Sequence, residues 1–248
     1  MIDQLVPANV WAFVVATLVA VSWVEICKYL SMKGWLQAWQ RRKLLHIFTG
    51  PLFILTWPLF TDDLSGAQWA AAVPLVMTLK FIAVGLGWLD DPDMILSASR
   101  NNQRSDLLKG PTLYGFIFVI STTFYWKQLQ AVLCLFVLCF GDGFAEICGR
   151  AYGANNRIFY SREKSWAGFT GFVVSSLLTT WVFIALYGPY LFGKPLESHV
   201  YLLGRIVFDC IGAGLVETLP FSDIDNVTVF GAALVSDRLF TRLFLSHR

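Results

Sequence analysis

Asp142 and Glu146 lie four residues apart in FGDGFAEICGRAYGANNRIFYSREKSWAGFTG, and Arg150, Arg157, Arg162, Lys164 and Ser165 follow them. Carboxylates bind magnesium, and cations with a hydroxyl neutralise phosphates. The stretch therefore suits a polyanion held between bound metal and basic groups. Asp142 ends an almost unbroken apolar run, Leu133 to Phe140, that reads as lipid-facing helix. An acid at that depth is costly unless it meets a partner, a cation or water, which makes it a functional candidate by default. If Asp142 to Tyr152 is helical, Asp142, Ala145, Glu146, Gly149 and Gly153 share one face. The same pattern has a packing interpretation: small residues let membrane helices approach, and basic residues mark a cytoplasmic loop.

The elements that must position these groups are membrane helices. Of 248 residues 56% are hydrophobic and 16% aromatic, and the mean hydropathy is +0.58, which excludes an ordinary soluble fold. With roughly 20 apolar residues per crossing, the length accommodates about seven or eight spans. The expectation is an all-α, polytopic transmembrane helix bundle forming one integral-membrane domain over 1–248. Helices are expected near Ala8 to Tyr29, Leu44 to Phe60, Gly66 to Trp88, Gly110 to Trp126, Leu129 to Cys148, Trp166 to Tyr187, Leu202 to Leu219 and Asn226 to Phe240. The first reads as a retained span rather than a cleaved leader. Trp35, Trp39 and the cations Arg41, Arg42 and Lys43 suggest a short interfacial helix before the second. The five cysteines show neither zinc spacing nor disulfide clustering and read as small core residues. A net charge of +2 without a basic tract gives no reason to expect nucleic acid.

Alternate loops differ in charge. Residues 31–43, 89–109 and 150–165 carry eleven Lys and Arg, whereas 61–65, 127–128 and 189–199 carry two. The positive-inside rule places the first set, with its candidate chemistry, on the cytoplasmic face or its organellar equivalent. Arg238, Arg242 and Arg248 oppose an eight-span count, which puts the C-terminus outside. Lys109 precedes Gly110 and Pro111, a helix start whose amides can bind phosphate and which the loop count puts on that same basic face. Asp62, Asp63, Asp90 and Asp91 read as solvated loop carboxylates. Lys80 reads as mid-span and in need of a carboxylate, for an ion pair or a site role. Arg205 and Asp209 are spaced to pair within one helix. Glu217 has no local partner, and Asp223 and Asp225 follow it; Asp225 can cap the last helix, which does not exclude metal binding. His46 reads as an interfacial hydrogen-bonding residue.

Four blocks, RRKLLHIFTG, LLKGPTLYG, FGDGFAEICGRAYG with EKSWAGFTGF, and VETLPFSDIDNVTV, together resemble the polyprenol kinase family of phytol, farnesol and dolichol kinases. They span about 200 residues, from Arg41 to Phe240. The third and fourth blocks are the specific ones, and the wording of the third is most similar to phytol kinase. One departure is Phe230, where proline is expected after DNxTV.

The resemblance implies a membrane enzyme that moves the terminal phosphoryl group of CTP, or of ATP or UTP, to an isoprenoid alcohol in the bilayer. It implies magnesium, a nucleoside triphosphate and surrounding lipid as partners; no oligomeric state follows from it. Asp142, Glu217 and Lys164 are then the catalytic candidates. Lys109, Gly110, Gly149, Arg150, Gly153, Arg157, Lys164 and Ser165 are the nucleotide-binding candidates, and Asp142, Glu146, Asp223 and Asp225 the metal ligands. Phosphoryl transfer needs charge neutralisation and in-line positioning more than covalent chemistry. Lys164 with Arg150 or Arg157 would neutralise the transferred group, and Glu217 would accept the alcohol proton. The competing readings are a phosphatidate cytidylyltransferase, which attacks the α phosphorus, and a transporter using Lys80, Asp209 and Glu217 as an ion path.

Overall fold

The structure, a computed structural model, describes residues 2–161, 163–193, 199–220 and 224–244. It is all-α: among the described residues the only extended pairing is an isolated bridge between Arg157 and Ser165. Two compact units divide the chain, Met1–Lys127 and Gln128–Arg248.

All eight expected helices form, and among the described residues six are long and apolar enough to cross a membrane: Ala8–Met32, Leu64–Gly85, Arg104–Phe124, Leu129–Tyr152, Trp166–Phe192 and His199–Glu217. The expected all-α polytopic bundle is thus present, with six of the expected seven or eight spans meeting that measure among the described residues. Two helices fail on composition, the second because it opens on Gln40–Lys43 and the last because it carries Asp237, Arg238 and Arg242. Arg238 and Arg242 lie on the last helix, which is not among the six, and Arg248 lies outside the described residues. Trp39 and the following cations form no separate interfacial helix either; they are the first turns of the second helix.

The first unit comprises α1 (Ile2–Met32), α2 (Ala38–Leu55), α3 (Leu64–Gly85), α4 (Pro92–Ala98) and α5 (Gly110–Phe124). α1 packs on α2 and α3, and α3 on α5. Gly115 of α5 lies so close to α3 that a Cβ there would stand 2.1 Å from the Thr78 hydroxyl. Small residues permit this approach where lipid supplies no hydrophobic driving force. The loop carboxylates do more than meet water. Asp63 accepts the Gly66 amide at 3.0 Å and caps α3; a bond from the Thr61 hydroxyl, and after it that amide, hold its carboxyl below the ordinary range. Asp91 caps α4 and pairs with Lys80 at 2.8 Å, so Lys80 has the partner its position demanded. Asp62 pairs with Lys127 and Asp90 with Arg104. His46 offers its carbonyl to the Tyr114 hydroxyl at 2.7 Å, its ring lying against that tyrosine.

The second unit is organised around one buried helix. α6 (Leu129–Phe136) runs through a π-helical segment, Val137–Asp142, into α7 (Gly143–Tyr152). Every residue from Ala131 to Gly143 is buried, so the run expected to face lipid is the unit's interior. Its neighbours are α8 (Trp166–Phe192), α9 (His199–Glu217) and α10 (Asp225–Phe244). On α8 the buried stripe reads Gly168, Phe172, Ser176, Thr180, Ile184, Gly188, Leu191, while Val174, Leu178, Val182 and Leu186 are exposed. Small and hydroxylated residues inward, aliphatic residues outward, is the pattern of a helix solvated by lipid. α8 stops at Gly193, whose left-handed φ of +60° suits glycine.

Candidate functional site

The π-helical segment ends on Asp142. Such widened turns come from one extra residue in the helical repeat and recur at functional positions, because they turn a side chain out of register with its neighbours. Asp142 is buried here, at 9% exposure. One turn on, Glu146 is held by Arg150 at 2.8 Å, the four-residue spacing bringing charge to charge.

Gly149 and Gly153 face the start of α8. A Cβ on Gly153 would stand 2.4 Å from the Ser165 hydroxyl and 2.3 Å from the Gly149 carbonyl; one on Gly149 would stand 3.5 Å from that hydroxyl. Close packing thus accounts for glycine at 153, whereas at 149 a Cβ would make only ordinary contact. Ser165, itself buried, caps α8 by accepting the Gly168 amide at 3.1 Å.

Between α7 and α8 the chain makes a folded excursion rather than an open loop. The Ile158 amide donates to Lys164 at 3.1 Å and the Trp166 amide to Asn156 at 2.9 Å, while the Arg157 guanidinium donates to the Glu163 carbonyl at 2.8 Å. Ile158 and Ser161 are buried, which anchors the excursion. At its end, the Lys164 ammonium pairs with the carboxylate of Glu217, 53 residues away, at the last turn of α9. Glu217 is 6% exposed. The partner it lacks locally is supplied by the basic excursion. The adjacent Thr218 meets the Tyr160 hydroxyl at 2.6 Å.

Asp225 opens α10 and accepts the Asn226 amide at 2.9 Å, where a negative charge also favours the helix dipole. Asp223 and Arg162 lie outside the described residues. Lys109 and Gly110 fall in the first unit, at the start of α5, and the other described candidates in the second. Arg205 does not pair with Asp209: it reaches Asp237 on α10.

Among the described residues no three His, Cys, Asp or Glu side chains gather as a ready metal shell. Asp142, Glu146 and Asp225 are nonetheless hard oxygen donors, and magnesium commonly binds through one or two carboxylates plus phosphate oxygens and water. The donor chemistry fits that cation.

Sequence reasoning missed Tyr160, Thr218 and Asp237. None has a spacing signal, because each partner lies on a different element; the one hint was Thr218's adjacency to Glu217.

No family model matches the chain, and no solved structure matches it. Among curated proteins, it is 35% identical over 232 residues to a farnesol kinase, chloroplastic, of Arabidopsis thaliana, covering 92% of this chain and 74% of that one. Against a probable phytol kinase, chloroplastic, of Triticum aestivum the identity is 29% over 233 residues, covering 92% and 77%. Against phytol kinase 1, chloroplastic, of Arabidopsis thaliana it is 32% over 203 residues, covering 81% and 66%. Identity of that extent, over most of both chains, shows that the chain belongs to the polyprenol kinase family of farnesol and phytol kinases.

Proposed function

We propose that this chain is a membrane prenol kinase that transfers the γ-phosphoryl group of CTP to an isoprenoid alcohol such as phytol, giving the alkyl monophosphate. Kinship with farnesol and phytol kinases supports the acceptor class. The observation that carries the site is the Lys164–Glu217 pair, which joins the two specific sequence blocks through one cation and one carboxylate.

In this reading Lys164, with Arg150 or Arg157, binds the triphosphate and offsets charge on the transferred group. The approaching phosphate competes with Glu217 for the ammonium. Glu217 is then the carboxylate available to receive the alcohol's proton as its oxygen attacks phosphorus. Asp142 and Asp225, with Glu146, would hold magnesium, which supplies neutralisation of the phosphates. The alcohol's hydrocarbon stays in lipid while its hydroxyl meets the nucleotide on the cytoplasmic face or its organellar equivalent, which is why such a site belongs at a membrane surface.

The test is transfer of label from γ-labelled CTP and ATP to phytol, farnesol and diacylglycerol in proteoliposomes, with Asp142→Asn as control. Label on an isoprenoid alcohol that disappears in the variant is expected. Pyrophosphate release with phosphatidate, and no labelled alcohol, would overturn the reading.

A further inference from the structure

The 154–165 excursion is fastened to the end of α9 at two consecutive positions. Lys164 meets Glu217, and Tyr160 meets Thr218. The second contact has a defined direction. The single hydroxyl proton of Thr218 is donated to the Leu215 carbonyl at 2.6 Å, so the Thr218 oxygen accepts from Tyr160. The acceptor is rigid, because Thr218 is 1% exposed and its amide donates to Gly214. The donor is not: Tyr160 is 45% exposed and rests on Phe159, which is 91% exposed. Tyr160 therefore has little burial to place it, and its hydroxyl supplies the fixed point.

We propose that Tyr160 is a positioning residue of the phosphoryl-transfer site: by donating to Thr218 it straps the basic excursion to α9 and holds Lys164 where the nucleotide's phosphates arrive. The proposal rests on the kinase reading. Lys164 has two competing partners during a catalytic cycle, Glu217 without nucleotide and phosphate with it. A contact that keeps the backbone of the excursion in place while the ammonium changes partner must be independent of that charge. The Tyr160–Thr218 bond is neutral and lies next to the pair, so it persists through the exchange. Its loss leaves the excursion to be ordered by the nucleotide itself, which weakens nucleotide binding while sparing the step that follows.

The experiment compares wild type, Tyr160→Phe, Thr218→Val and Thr218→Ser. Hydrogen exchange of the 154–165 peptide is read without substrate, and KM and kcat with nucleotide and alcohol varied in turn. Tyr160→Phe and Thr218→Val are each expected to speed exchange in that peptide and to raise KM for nucleotide about three- to tenfold, the size of one hydrogen bond. Both should leave kcat within about twofold and KM for alcohol unchanged. The double variant should be no worse than either single one, and Thr218→Ser, which keeps the acceptor, should behave as wild type. Unchanged exchange in Tyr160→Phe overturns the strap. A fall in the active fraction or in Tm with no change in KM for nucleotide makes the contact merely structural and equally overturns the proposal. If wild type phosphorylates no alcohol, the kinase reading fails, whereas exchange still reports the strap.

Discussion

Arg205 passes over Asp209, four residues along its own helix, and grips Asp237 of α10 with two hydrogen bonds, Nε to Oδ1 at 2.5 Å and an Nη to Oδ2 at 3.1 Å. Within one helix, a cation placed before an acid is the weaker order. The neighbouring helix offers a bidentate carboxylate instead, and planar matching of that kind is what a guanidinium favours. Asp209 is wholly buried, and among the described residues its oxygens meet no hydrogen-bond donor.

Removing Arg205 alone leaves Asp237 buried without its counter-charge. Arg205→Met is expected to destabilise the protein by about 3–5 kcal/mol, whereas Arg205→Met with Asp237→Met recovers most of that loss. Unfolding in detergent measures both. A double variant as unstable as the single one would show that the pair is not the cause.

The two glycines of α7 separate by the space around them. Gly153→Ala drives a Cβ to 2.3 Å from a backbone oxygen and should cost about 1–3 kcal/mol. Gly149→Ala makes only ordinary contact at 3.5 Å, and alanine gains about 1 kcal/mol of helix propensity over glycine. Thermal unfolding should move in opposite directions for the two. If its space serves only the contact with α8, KM for nucleotide stays unchanged in Gly149→Ala; a raised KM places Gly149 in the nucleotide site.

Glu217→Gln keeps the size of the side chain and removes the proton acceptor. Turnover with a prenol should fall about 10²–10⁴-fold. Lys164→Met should cost about 10²–10³-fold, as loss of an oriented charge does. Single-turnover kinetics with properly folded protein check this. Wild-type rates in either variant would remove that residue from the chemistry.

Asp91 couples the first unit's stability to pH. Its bond to Lys80, and less so the Met94 amide, holds the carboxyl below its ordinary value of 3.8. A carboxyl lowered in the folded state stabilises above its unfolded value and loses that contribution as pH falls through the folded one. Asp91→Asn keeps a helix cap and loses the ion pair. Wild type should therefore exceed it by about 0.2–1 kcal/mol at pH 7, with the gap closing below the ordinary carboxylate range. Thermal midpoints at both pH values measure it, and a gap independent of pH would contradict the assignment.

The helices and the membrane class were legible in the chain because they rest on local sums. Apolar runs of span length and Pro111 at a helix start act within a few residues, whatever the rest of the molecule does. Asp142, Lys164 and Glu217 were legible as candidates because charge in apolar sequence must be accounted for wherever it lies.

Which charge answers which was not local. Glu217 found Lys164 and Arg205 found Asp237 across different helices, and no spacing encodes a partner 53 or 32 residues away. The interior was also misread: an apolar run facing lipid and one buried by protein have the same composition, so only packing shows that Leu133 to Phe140 is the core of its unit. The sequence by itself determined that this is a helical membrane protein with acids and cations set within or beside apolar runs. Only the tertiary structure decided their pairing, because ion pairs and hydrogen bonds are short-ranged and depend on where separate helices come together.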